Sequence, residues 1–169
     1  DENNIPTNWS IKGASTFGHK IDEQFVHSGK DASWKDATGS SNTTQTEASL
    51  YVAQNASPYA NWYYAKALLA DEDHSMQVLP GGTLRLDEIE KLTMAGEAGE
   101  LNVTAYELSG VDLNPTYFLL DETEALFAIM SPRFAIIRKG YEAEDKRVRG
   151  LATGYAARRF ESIQAKVAH

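Results

Sequence analysis

The stretch 74–92, "HSMQVLPGGTLRLDEIEKL", sets a histidine, paired glycines and an arginine close together. A phosphate loop would use such glycines to converge backbone N–H groups at a helix N-terminus, usually with a Lys-Ser/Thr pair behind them. No such pair follows. Thr83, Leu84, Arg85, Leu86 and Asp87 instead alternate polar and apolar, which is strand periodicity. Pro80-Gly81-Gly82 therefore reads as a tight strand–strand turn in which glycine supplies positive φ.

The other side chains that could do chemistry are sparse. The histidines are His19, His27, His74 and His169, with no H-x-H or H-E-x-x-H spacing. His19 and His27 share strand parity but stand too far apart along one strand to chelate a single ion. His74, beside Asp71-Glu72-Asp73, reads as an exposed loop residue. There is no G-x-S-x-G nucleophile elbow, and Ser109-Gly110 sits in a turn. Adjacent carboxylates occur at Asp22/Glu23, Asp87/Glu88 and Asp121/Glu122. A glycosidase needs two placed roughly 5–10 Å apart across a sugar, and so acidic a chain offers adjacent pairs by chance. No catalytic, cofactor-binding or metal-ligating residue is assigned. The aromatics have two readings: a core under a helix, or the lining of an apolar pocket, for which Trp62, Tyr106, Tyr117 and Phe127 are the candidates.

Bulk properties narrow the classes. A chain of 169 residues suits one domain, or one domain plus an appended element. The formal net charge is −8, which argues against a nucleic-acid surface. The basic cluster between Arg138 and Arg159 reads as the solvated face of a helix. The absence of cysteine removes disulfides, thiolate nucleophiles and Cys-ligated metals. No apolar run approaches the roughly 20 residues of a membrane span. The polar start at Asp1 reads as a processed N-terminus, for which a removed signal peptide is one explanation.

These residues must be positioned by a small set of elements. Residues 1–16 read as a flexible lead-in. "HKIDEQFVH" alternates as a strand, with Ile21, Phe25 and Glu23 on one face. "GKDASWKDATGSSNTTQT" reads as a polar hairpin loop anchored by Trp34, and "EASLYVA" as a short strand. "SPYANWYYAKALLADED" reads as a helix over 58–70, with Ser57 as N-cap, Pro58 at its first position, and Trp62, Ala65, Leu68 and Leu69 on one face. Residues 75–137 read as a meander of antiparallel strands. The tail from about Tyr141 to Val167 reads as helical, with Val148, Leu151, Tyr155, Phe160, Ile163 and Val167 as its apolar stripe and Gly150 and Gly154 as weak points. The fold class expected is α+β: a curved antiparallel sheet or open β-barrel with one packed helix and a long C-terminal helix. The domain limits expected are 1–16, 17–140 and 141–169, the last a connector to a partner or further domain.

Taken in order, "GHKIDEQFVHSGKDASW", "YVAQNASPYANWYYAKALLA", "MQVLPGGTLRLDEIEKLTM", "VTAYELSGVDLNPTYFLLDETEALFAIMSP" and "GYEAEDKR" resemble the N-terminal, β-rich, LolA-like region of exported bacterial metal-dependent amidohydrolases. The resemblance covers roughly 17–169. It implies a non-catalytic accessory domain, periplasmic or secreted, that supports or covers a catalytic domain, with any divalent metal held by that domain and no cofactor here. The family's metal-binding H-x-H finds no counterpart, so no site residue is carried over. The partners expected are that catalytic domain or a second copy met through 141–169, and no nucleic acid or membrane span. The alternative is a stand-alone periplasmic carrier of an apolar ligand.

Overall fold

The computed structural model describes residues 1, 3–44 and 49–167. Among the described residues, eleven strands and two α-helices follow one another. They are β1 (Asn8–Ala14), β2 (Lys20–Ser28), β3 (Asp31–Asp36), β4 (Gly39–Thr44), β5 (Leu50–Tyr51), α1 (Ala60–Leu69), β6 (Ser75–Leu79), β7 (Thr83–Gly96), β8 (Gly99–Ser109), β9 (Thr116–Asp121), β10 (Leu126–Met130), β11 (Ala135–Ile137) and α2 (Asp145–Val167). The class is α+β. One sheet has the order β1-β2-β3-β4 and the other β11-β10-β9-β8-β7-β6-β5, and neither closes into a barrel. The sheets are mostly antiparallel; β5 and β6 pair in parallel, and their connection runs through α1.

The chain packs as two units, 1–86 with 109–113 and 87–108 with 114–169. The chain passes between them three times, at 86/87, 108/109 and 113/114, all inside the span 17–140 that the sequence suggests as one domain, and β7 and β8 each run through one of these points.

In the first unit, the expected lead-in contains β1, which pairs with β2 from Asn8↔Val26 to Ala14↔Lys20. Only Trp9 and Ile11 give this strand an inward face, so its periodicity is faint. The expected Trp34 loop is a strand pair, β3 and β4, in register from Asp31↔Thr44 to Asp36↔Gly39. Its tight turn is held by the Asp36 carboxylate, which accepts hydrogen bonds from the Thr38 N–H at 2.7 Å and the Thr38 hydroxyl at 2.6 Å. Phe25, Ala32, Tyr51 and Leu79 form the core, with Phe25 and Tyr51 stacked at 4.6 Å.

Helix α1 starts two residues later than expected, without a side-chain cap. The amides of Ala60, Asn61 and Trp62 bond back three residues to Ser57, Pro58 and Tyr59, so the entry is wound tightly before α-helical spacing begins. Its buried face is Ala60, Tyr64, Ala65, Ala67 and Leu68, while Trp62 and Leu69 stay half-buried. Trp9 packs against the helix through Tyr63 and Tyr64. The "PGG" segment joins β6 to β7 as a hairpin turn, with Gly82 at φ +108° and its carbonyl accepting from the Val78 N–H.

In the second unit, β8 alternates as expected: Val103 and Ala105 are buried in the core with Tyr117, Leu119 and Phe127. Val148, Ala152 and Tyr155 of α2 complete that core, and Leu151 packs at its edge. Helix α2 is continuous through Gly150 and Gly154, after a 3-10 turn at Glu142–Glu144. No helix among the described residues is long and apolar enough to cross a membrane.

The β9–β10 turn is tied by one carboxylate and one arginine. Asp121 accepts from the backbone and hydroxyl of Thr123 and from the Ala125 N–H, and pairs with Arg138 at 2.7 Å. Arg138 also donates to the carbonyls of Ala125 and Leu126. Burial pushes the Asp121 carboxyl up, but the bonds from Thr123, Arg138 and Ala125 outweigh it and hold it at about 2. A carboxyl depressed by folding stabilises the native state fully above its unfolded value, near 4, and loses that contribution as pH falls toward 2. Acid titration of unfolding should therefore show about 2 kcal/mol lost across that window, absent in Asp121→Asn. An identical acid limb in the two proteins would refute this.

Candidate functional site

The residues singled out from the sequence do not converge. Glu107 pairs with Tyr117 and Tyr106 with Phe118 across β8 and β9, which sets Tyr106 and Tyr117 on opposite faces. Tyr117 and Phe127 share the core under α2, whereas Tyr106 is half-buried and lies 6.0 Å from Phe118, ring to ring. Trp62 belongs to the first unit, where it meets Tyr59, Tyr63 and Lys66. The adjacent carboxylates split as well. Asp22 faces outward to Lys35 at 3.0 Å, while Glu23 is buried. Asp121 caps a turn, and Glu122 accepts from Asn102. His74 is exposed in the α1–β6 turn, with φ +50°, and His169 lies outside the described residues. Among the described residues, no group of three His, Asp or Glu is placed to hold a metal ion.

Glu23 occupies the core parity of β2, between Ile21 and Phe25. One carboxylate oxygen accepts from the Tyr51 hydroxyl and the Gln54 N–H, both at 2.8 Å. The other accepts from the Asn55 N–H at 2.9 Å and its side-chain amide at 3.1 Å. Every donor is intramolecular, so this group ties the β5–α1 loop to β2 and offers nothing to a ligand. Burial, then the Glu23 contact, pushes the Tyr51 phenol up.

A surface that combines cations with exposed apolar side chains lies along the second half of α2. The stripe read from the sequence divides there. Val148, Leu151, Ala152 and Tyr155 lie at helical spacings on the packed face. Phe160, Ile163 and Val167 follow a line rotated about 100° around the helix, and they are 60%, 47% and 79% exposed. The packed face itself continues as Arg159, Ser162 and Lys166. Beside it opens a groove of about 440 Å³ whose lining includes Ile89, Tyr155, Arg158, Arg159, Ile163 and Lys166.

Two glutamates reach the consecutive arginines from different strands. Arg159 pairs with Glu107 of β8, and Arg158 with Glu90 of β7 at 3.5 Å. Each pair stands beside a buried phenol with no well-aligned hydrogen bond, Tyr117 and Tyr155. Burial, and then Glu107, pushes the Tyr117 phenol up to about 12; burial, and then Glu90, raises that of Tyr155. The Arg158 guanidinium also lies 5.1 Å from the centre of the Tyr155 ring. The sequence signalled the basic run but not its strand partners, which are distant in the chain.

No protein-family model, curated protein or solved structure matches this chain.

Proposed function

We propose that this chain is a non-catalytic accessory module of an exported metal-dependent amidohydrolase, periplasmic or secreted, that supports the catalytic domain and meets it through the second half of α2. The observation that carries the reading is the exposed line Phe160, Ile163 and Val167 on a helix whose first half is already packed. An apolar line of this kind is a recognised mark of a protein contact. The quoted resemblance supports the family: its most specific segments form β2, the β6–β7 turn and the turn leading into β9. No residue here is assigned to chemistry, and the metal is placed in the catalytic domain.

The test is the intact mass and metal content of the protein isolated from its native source. A species several-fold heavier than this chain and carrying a divalent metal is expected. A metal-free species of this chain's own mass would sink the proposal.

A further inference from the structure

The groove beside α2 departs in charge from the rest of the protein. The chain carries a net charge of −8, yet three cations line this groove. Arg159 is taken up by Glu107, and Asp87 also lines the space. Arg158 keeps most of its capacity: its side chain is 63% exposed, and its contact to Glu90 is long at 3.5 Å. Lys166 is exposed, and no carboxylate of the described residues lies within salt-bridge reach of it. The floor is apolar in part, through Ile89, Tyr155 and Ile163, and Asp87, Glu107 and Ser162 also line it. Two cations about an apolar floor complement a chain segment that alternates carboxylates with apolar side chains.

We infer that this groove takes an acidic polypeptide segment, with its carboxylates on Arg158 and Lys166 and an apolar side chain against Ile89, Tyr155 and Ile163. The inference deepens the accessory-module reading by naming the chemistry of the partner surface, and in that reading the segment belongs to the catalytic domain. The helix contributes both elements of recognition. Lys and Arg supply charge that a salt-containing solvent screens, and the floor supplies area that salt does not weaken.

The test is calorimetric titration of the full chain with a short peptide in which glutamate alternates with leucine. A counterpart with lysine in place of glutamate serves as the control. The glutamate peptide is expected to bind and the lysine peptide not to. High ionic strength should weaken the binding about tenfold. The double variant R158E/K166E should abolish it while keeping the circular-dichroism spectrum of the parent. Because Arg158 also touches Glu90 and Tyr155, K166E alone is the second variant, at an exposed position, and should weaken binding without altering unfolding. Absence of binding, equal binding of the two peptides, or binding that survives both variants would overturn the inference. Preference for anionic vesicles over the peptide would overturn it too, since the site would then be a lipid one. The accessory reading fails separately, on native mass and metal. A heavy, metal-loaded native species whose amides at 158–166 exchange as fast as in this chain alone would leave that reading standing and remove the groove as its contact.

Discussion

Gly110→Ala is expected to cost about 3 kcal/mol or more of stability. Gly110 directly follows β8, at φ +118°. A Cβ built there would stand 1.9 Å from the carbonyl oxygen of Thr83 and 3.1 Å from its carbonyl carbon. Both atoms are backbone at the start of β7, whose Thr83–Arg85 segment is fixed by pairing with β6. No rotamer change can relieve such a clash, so one of two strand ends must move. Gly99→Ala is the matched control: its φ is +107°, but nothing lies within 4 Å of its Cβ position. That variant isolates the conformational cost, about 1 kcal/mol. Denaturant unfolding followed by circular dichroism measures both. Equal losses in the two variants would show that the close approach to Thr83 is not enforced.

Glu23→Ala is expected to cost about 3–5 kcal/mol. The substitution removes a 1%-exposed carboxylate and strands four donors at once, from Tyr51, Gln54 and Asn55. Two of them are backbone amides of the loop that leads from β5 into α1. The loss should therefore loosen that loop, with faster amide exchange at Gln54 and Asn55, as well as lower the global midpoint. The neighbouring Asp22→Ala removes surface contacts with Lys35 and Gln24 and should leave the midpoint nearly unchanged. A Glu23→Ala midpoint no lower than that of Asp22→Ala would disprove the account.

The contrast between these two neighbours shows what periodicity can reveal. Glu23 was legible as an inward position because Ile21 and Phe25 flank it at strand spacing. Its four donors were not, since they lie on β5 and in the loop after it, some 30 residues away. The meander from β6 to β10 was legible because its strands alternate strongly or run fully apolar. Strands β1, β3 and β4 were hidden by composition. Ala32 and Trp34 are the apolar residues of β3, and β4 is Gly, Ser, Asn and Thr throughout, so pairing and not burial defines them. In α2, spacings of three, four and five were all compatible with one stripe. The true packed face breaks after Tyr155, where the five-residue step to Phe160 moves the apolar line off it. Arg158 and Arg159 were visible as a basic run, but their glutamates on β7 and β8 were not, because only folding brings them together.

The cluster that joins Trp9 to the tyrosines of α1 has an optical consequence. Trp9, Trp34 and Trp62 all fall in the first unit, whereas Tyr106, Tyr117, Tyr141 and Tyr155 fall in the second, which has no indole. Intrinsic emission excited at the red edge of absorption thus reports on one unit alone, while far-ultraviolet ellipticity weights the helix of the other. Superimposed melting curves from the two signals would mean that the strands running through both units transmit unfolding as one cooperative event. A tryptophan signal that melts apart from the ellipticity would give each unit a transition of its own.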